Sequence, residues 1–348
     1  MSRPRSGGRA GPVTIHDVAK AARVSVGTVS KALNGNGQLR EETRTMVRLA
    51  AERLRFRPNE IARRLTGQQH FTVGLITTDR HGRFTMPVLE GIQDALDEAR
   101  ISVFLCTAAG DPARERQHVE SLLAKRVDGF IVTGKRSTPR PKLDLDGESV
   151  PILYAFARVE DPDSPCLLPD DRGGGRLAGE HLLALGRTRI AHITGPARTP
   201  AVQDRREGLE LALAARGLAL PPEHLLMGSW SEAWGHEATS RLLASGRPID
   251  AIFCGSDQIA RGVVDALRER GVRIPADISV VGFDNWEIIA DATRPPLTSV
   301  DMNLVELGRE GGRRMLDLIA GRRWQGVDRL PCSLIVRQSC GAKRIRTA

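Results

Sequence analysis

Aromatic residues are scarce in this chain: 4 Trp, 1 Tyr and 8 Phe make up 4% of its 348 residues, so each ring marks a place where ring-sized surface is needed. Long hydrophobic runs are missing too. No stretch approaches the roughly 20 apolar residues of a membrane-spanning helix. The basic start MSRPRSGGRAGP leads into no apolar segment of the secretory type, and a cytoplasmic protein is expected. Cys106, Cys166, Cys254, Cys332 and Cys340 include no C-x-x-C pair and no histidine cluster at metal spacing, so they read as buried thiols in a reducing compartment. Gly173-Gly174-Gly175 lacks the G-x-G-x-x-G spacing and any following Lys-Ser/Thr, and is expected to be a turn and close-packing site. No paired catalytic carboxylates, Ser/His/Asp set or activated cysteine can be assembled. Neither an enzyme nor a bound cofactor or metal is expected.

What is present is an ordinary globular composition, 41% hydrophobic and 27% charged, with length for two or three domains. The net charge of +9 is segregated. Residues 1–68 carry 14 Lys and Arg against 5 Asp and Glu, whereas the remaining 280 residues carry 37 of each. That is the footprint of a segment that neutralises phosphates.

The same segment has a helical pattern. Thr14-Ile15-His16-Asp17 is a capping-box start, and Ile15, Val18, Ala19 and Ala22 share one face of a helix to about Ala22. A turn at Arg23-Val24 leads to Ser25, a second N-cap, and a helix from Val26 to Leu33 stopped by Asn34-Gly35. Two short helices joined by a tight turn form a helix-turn-helix pattern. A third helix is expected from Glu41 to Leu54, with Arg40 in place of a Ser/Thr cap, and a short fourth at Pro58–Leu65 that needs a packing partner to form.

The succession DVAK-A-VS-TVS-ALN, ETR and RPNxIAR-L resembles the head of the lactose-repressor (LacI/GalR) family of bacterial transcription regulators. The resemblance implies that Val26, Gly27 and Lys31 read the major groove and that Ser25, Thr28 and Asn34 hold phosphates. It further implies that Asn59, Ala62 and Leu65 belong to a hinge helix at the minor groove, with Leu65 as a wedge that kinks the duplex. Gly27 departs from the family by offering no side chain to a base. Readout therefore falls on Lys31, a donor to guanine, and Val26, against a thymine methyl.

After residue 68 strands and helices alternate. Strands are expected at Phe71–Thr77, Val103–Thr107, Gly129–Thr133, Pro151–Tyr154, Cys166–Leu168, Arg189–Thr194, Ala251–Cys254, Ile278–Phe283 and Leu297–Val300, with helices between them and a last helix at Leu304–Ala320. Near-continuous apolar strands alternating with helices imply parallel sheets covered on both faces. The fold class expected is a small all-α helix-turn-helix DNA-binding head plus an α/β effector domain of two doubly wound parallel-sheet lobes. The expected domains are a basic tail at 1–13, the head at 14–57, hinge and linker at 58–68, the effector and dimerisation domain at 69–340 and a tail at 341–348. Within the effector domain one lobe takes 69–168 and 301–328, the other 169–298 and 329–340.

Ligands of open parallel sheets bind beyond the carboxyl ends of the strands, here between the lobes. The motifs GEHLLALGRTRIAHITGP, IFCGSD, IPADISVVGFD and PLTSV resemble landmarks of the same family's effector domain, whose fold is similar to periplasmic sugar-binding proteins. The resemblance makes Asp284, Arg205, Trp230, Phe84 and Ser256 effector contacts. Asp284 also suits a turn or cap, Arg205 a surface ion pair and the two aromatics a core. Asp257 reads as the cap of the helix that follows it. The reading is a DNA-binding transcription regulator, a repressor of carbohydrate uptake or utilisation genes, acting as a homodimer on a palindromic double-stranded operator under control of a small-molecule effector, by family habit a sugar. The rival is a stand-alone sugar or nucleotide binder, or an enzyme, with an incidental basic N-terminus; the missing cofactor signatures and signal peptide count against it.

Overall fold

In the computed structural model, residues 14–34, 39–54, 71–97, 101–134 and 139–341 are described. The chain forms two compact units that part between His70 and Phe71.

The first unit holds three helices, α1 (Ile15–Ala21), α2 (Val26–Asn34) and α3 (Glu41–Arg53). Thr14 and Asp17 form the capping box that starts α1, and Asp17 accepts from both the backbone N–H and the hydroxyl of Thr14. The turn to α2 is closed by Arg23 in the left-handed region at φ 52° and by Val24 N–H donating to the Ala19 carbonyl. Val18, Ala19, Ala22, Val29, Ala32, Val47, Ala50 and Ala51 form its core. Small residues there let three short helices approach closely.

The second unit contains two six-stranded sheets. In chain order its elements are β1 (Thr72–Thr77), α4 (Thr85–Asp97), β2 (Ser102–Thr107), α5 (Pro112–Ala124), β3 (Gly129–Thr133), β4 (Ile152–Ala155), β5 (Cys166–Pro169), α6 (Asp171–Ala184), β6 (Ile190–Thr194), α7 (Pro200–Ala214), β7 (Leu225–Met227), α8 (Glu232–Ala244), β8 (Ala251–Cys254), α9 (Asp257–Glu269), β9 (Ser279–Asp284), α10 (Glu287–Ala290), β10 (Thr298–Asp301), α11 (Leu304–Ile319), β11 (Val327–Leu330) and β12 (Ser333–Ile335). The first sheet has the order β11-β5-β4-β3-β1-β2 and is parallel throughout. The second, β12-β10-β9-β8-β6-β7, is parallel except for β12, which runs antiparallel to β10. The backbone passes between the lobes three times: from β5 to α6, from β10 to α11 and from β11 to β12. Strands β1, β3, β6 and β8 are buried almost end to end, as sheets covered by helices on both faces require.

Gly173, Gly174 and Gly175 lie inside α6, not in the turn expected of them. The close-packing half of that expectation has a physical basis, since a Cβ on Gly175 would fall 2.1 Å from the Arg205 carbonyl oxygen and one on Gly208 would fall 2.0 Å from that of Arg172. Reciprocal glycines let α6 and α7 touch backbone to backbone. That contact sets where Arg205 stands. Among the cysteines, Cys106 on the edge strand β2 is half-buried and the other four are buried.

Candidate functional site

In the head, the Ser25 hydroxyl caps α2 by accepting from Thr28 N–H at 3.1 Å and lies 2.9 Å from the Thr28 hydroxyl. Ser25, Gly27 and Lys31 are exposed on the first turns of α2, Val26 and Thr28 are half-buried, and Val29 is turned into the core. The exposed side of the helix therefore carries two hydroxyls, a lysine and a bare backbone position. A Cβ on Gly27 would meet nothing nearer than the Ser25 Oγ at 3.7 Å. Asn34 closes α2. Arg40 precedes α3 with no side-chain cap, as its replacement of a Ser/Thr predicts. Asn59, Ala62 and Leu65, with the expected fourth helix, lie outside the described residues.

In the second unit the carboxyl ends of the two sheets bring four of the five expected effector residues into one series of contacts. Asp284 ends β9 at φ 107°, with Asn285 beside it at φ 49°. Two adjacent non-glycine residues in sparsely populated conformations need restraint from their surroundings. It comes from Asn285, whose N–H donates to the Ser299 hydroxyl at 3.1 Å and whose amide donates to Asp301 at 2.9 Å. Arg205, 3% exposed, donates from Nε to Asp171 at 2.9 Å and from Nη1 to the Gly255 carbonyl at 2.5 Å. Its guanidinium lies 3.5 Å from the centre of the Phe283 ring and 5.8 Å from that of Trp230, and its Nη1 is 3.8 Å from Asp284. The surface ion pair considered for Arg205 is thus replaced by a buried one. Trp230 packs on the backbone at Gly195, where a Cβ would come within 2.3 Å of its ring.

Phe84 joins this series through its neighbour. Arg83, in the loop between β1 and α4, crosses to the other lobe, donating from Nη2 to Asp284 at 2.5 Å and from Nη1 to Gln258 at 2.9 Å. It stacks between Phe84 at 4.7 Å and Trp286 at 4.3 Å. Phe84 also packs 5.1 Å from the Phe156 ring. Arg83, Gln258, Trp286 and Asp171 were absent from the sequence reading; the signal for Arg83 was its place beyond the carboxyl end of the first parallel strand, next to Phe84.

Ser256 and Asp257 exchange the capping role expected of them. The Ser256 hydroxyl caps α9 by accepting from Ile259 N–H at 3.3 Å. Asp257 is the first residue of that helix, fully buried, accepting from the Ser299 hydroxyl and from Trp286 N–H, each at 2.6 Å. Burial, and secondarily the charge of Asp284, push its carboxyl up to about 8. Burial disfavours its ionised form, and a like charge nearby disfavours it further. His192 is buried with Nδ1 2.9 Å from the Phe253 carbonyl, and burial lowers it to about 4, a neutral core histidine. No group of three or more His, Cys, Asp or Glu suited to a metal ion occurs among the described residues, and no helix among them is long and apolar enough to cross a membrane.

Comparison with known proteins agrees with this architecture at both ends of the chain. Residues 14–59 match the family described as "Bacterial regulatory proteins, lacI family", and residues 180–340 match "Periplasmic binding protein-like domain". The HTH-type transcriptional regulator DegA of Bacillus subtilis (strain 168) is 33% identical over 337 residues, covering 94% of this chain and 97% of that protein. The HTH-type transcriptional repressor PurR of Haemophilus influenzae (strain PittEE) is 30% identical, covering 94% and 98%. Among solved structures, a lac repressor dimer bound to operator and an anti-inducer superposes with a TM-score of 0.79 at 30% identity, covering 95% of this chain and all of that one. A complex of the transcriptional regulator CelR with cellobiose gives 0.65 at 29% identity, covering 94% and 99%. The relatives are regulators and repressors of transcription, not enzymes. With a helix-turn-helix head and a two-lobed parallel-sheet domain matched over nearly its whole length, this chain belongs to the lacI family of bacterial regulatory proteins, DNA-binding regulators of transcription.

Proposed function

We propose that the protein is a cytoplasmic repressor of carbohydrate uptake or utilisation genes, binding a palindromic operator as a homodimer and releasing or holding it according to a sugar-like effector between the two lobes. The observation that carries this reading is the run of contacts Phe84, Arg83, Asp284, Arg205 and Trp230, in which charged donors, an acceptor and aromatic faces from both lobes meet beyond the carboxyl ends of the strands. Hydrogen-bonding groups flanked by rings are what a polyhydroxylated ring requires. The relative solved with cellobiose makes a saccharide the first class to test.

In the head, Val26, Gly27 and Lys31 would face base edges while Ser25, Thr28 and Asn34 hold phosphates, with Asn59, Ala62 and Leu65 at the minor groove. For the dimer, support comes from β2 at the edge of the first sheet, whose Phe104 and Leu105 are 44% and 42% exposed. Apolar side chains on an unpaired edge favour association with a second copy. Effector binding would bias the relative position of the lobes, and through the dimer the spacing of the two hinge segments.

Fluorescence anisotropy of the full-length protein on a two-fold duplex, with and without each of a panel of mono- and disaccharides, tests the proposal. A saccharide that binds the protein should change operator affinity by roughly 5–150-fold, the usual range of allosteric coupling. Binding of saccharides with operator affinity constant within twofold would refute it.

A further inference from the structure

Arg83 has an arrangement that bears on which ligands the cleft accepts. Its side chain is 14% exposed and lies between the Phe84 and Trp286 rings. Nη2 donates to Asp284 and Nη1 to the neutral Gln258, while Nε is buried with no hydrogen-bond partner among the described residues. Nε and Nη2 form one side of the guanidinium, the side that grips a carboxylate or phosphate through two parallel bonds. Here that fork is half used, with one arm on Asp284 and the other on nothing. We propose that Arg83 makes the cleft selective for a polyhydroxylated ligand carrying one anionic group, a carboxylate or a phosphate, over its neutral parent. The inference rests on the reading of the cleft as an effector site.

Charge balance sets this preference. Asp284 is the carboxylate that Arg83 holds, and Arg205 is already held by Asp171 and the Gly255 carbonyl. A ligand hydroxyl that takes over Asp284 draws it from Arg83. Arginine cannot shed its charge, so the guanidinium is left between two rings with a neutral amide and no anion. A desolvated charge parted from its partner is strongly unfavourable. A neutral polyol offers the fork only uncharged hydroxyl acceptors, whereas a carboxylate or phosphate on the same ligand fills both arms of the fork with a compensating charge and frees Asp284 to accept from hydroxyls. The other acidic groups nearby are engaged within the protein. Burial raises the Asp257 carboxyl towards its neutral form, Asp171 is paired with Arg205, and Asp79 is turned into the start of α4, accepting from the N–H groups of His81, Phe84 and Thr85.

The test is calorimetric titration of the full-length protein at pH 7 with glucose, galactose and mannose, their uronates and their 6-phosphates, the last two arms distinguishing carboxylate from phosphate. At least one acid should bind tenfold or more tightly than its neutral parent. In Arg83→Met the ratio should fall below threefold through loss of acid affinity; Arg83→Lys, which keeps the charge without the fork, should retain part of the preference. A urea transition followed by tryptophan fluorescence and unchanged from the parent's verifies that the effector domain of each variant is folded, since all four Trp lie in it. Equal affinity for acid and parent, or a preference that survives Arg83→Met, overturns this inference and leaves the effector reading standing. Binding of no panel member by protein that still binds duplex overturns both.

Discussion

Replacing Arg205 by methionine should destabilise the effector domain as well as alter its ligand site. The guanidinium is almost fully buried and faces a carboxylate, Asp171, that is equally buried. Removing it parts that carboxylate from its cation inside the protein, a change that costs about 3–5 kcal/mol in buried pairs. The Gly255 carbonyl loses a donor as well, worth about 1–3 kcal/mol when left unsatisfied. Because the two losses share one side chain they do not add fully, and about 4 kcal/mol is expected. For a domain of this size, at about 2–4 °C per kcal/mol, the melting midpoint should fall by on the order of 10 °C. Thermal and urea unfolding of Arg205→Met, Asp171→Leu and the double variant measure the two quantities, with the transition of the effector domain followed by tryptophan fluorescence, since all four Trp lie after residue 68. The double variant should recover part of the loss, because no buried charge is left without its partner. A midpoint for Arg205→Met within the equivalent of about 0.5 kcal/mol of the parent would refute this account of the pair. The consequence is practical: an Arg205 variant that no longer responds to ligand has not thereby been shown to have lost a ligand contact.

Other expectations follow from particular residues. Gly27→Gln has open space around it and should fold normally, gaining up to about 0.5–1 kcal/mol of helix stability over glycine; duplex selection with the variant should return a half-site changed at one position, and an unchanged site would show that Gly27 does not face the bases. Asp257 keeps its proton in the folded protein up to about pH 8, whereas the unfolded chain releases it near 3.8, so raising pH through that window favours unfolding. Asp257→Asn should therefore flatten the fall in melting temperature between pH 5 and 8; a fall as steep as the parent's would contradict it. Phe104→Glu on β2 should shift the protein from dimer to monomer in sedimentation at micromolar concentration, and a dimer of unchanged affinity would place the interface elsewhere. Operator affinity should drop by about 10³-fold or more between 50 and 200 mM salt if six or more phosphates are contacted, a slope that mobility-shift titrations read directly.

Much of the architecture could be read from local pattern because the forces that make it are local. Thr14 with Asp17 and Ser25 with Thr28 fix the starts of α1 and α2 within a few residues, and β1, β3, β6 and β8 are mostly apolar and buried almost end to end because helices cover both faces. The edge elements carry no such signal. Strand β7 has three residues, β11 alternates with charged Asp328 and Arg329, and β12 is recruited antiparallel by β10, so none of them appeared in the reading. In the cleft, Asp284 was legible from its place after an apolar strand, and Arg205 from the family motif. Arg83 was not, because it acts through reach across to another lobe, which depends on tertiary placement of a loop without periodicity. The exchange of Ser256 and Asp257 came from a one-residue shift in where α9 begins, an ordinary uncertainty of helix ends.

The central claim, that this regulator reads a two-fold site through its helix-turn-helix, is tested most directly by selecting duplexes from a randomised library with the full-length protein at moderate salt. The account predicts enrichment of a palindrome, lost on Lys31→Ala or on deletion of residues 1–68. Salt-sensitive binding with no enriched sequence, both alone and with a metabolite mixture present, would contradict it.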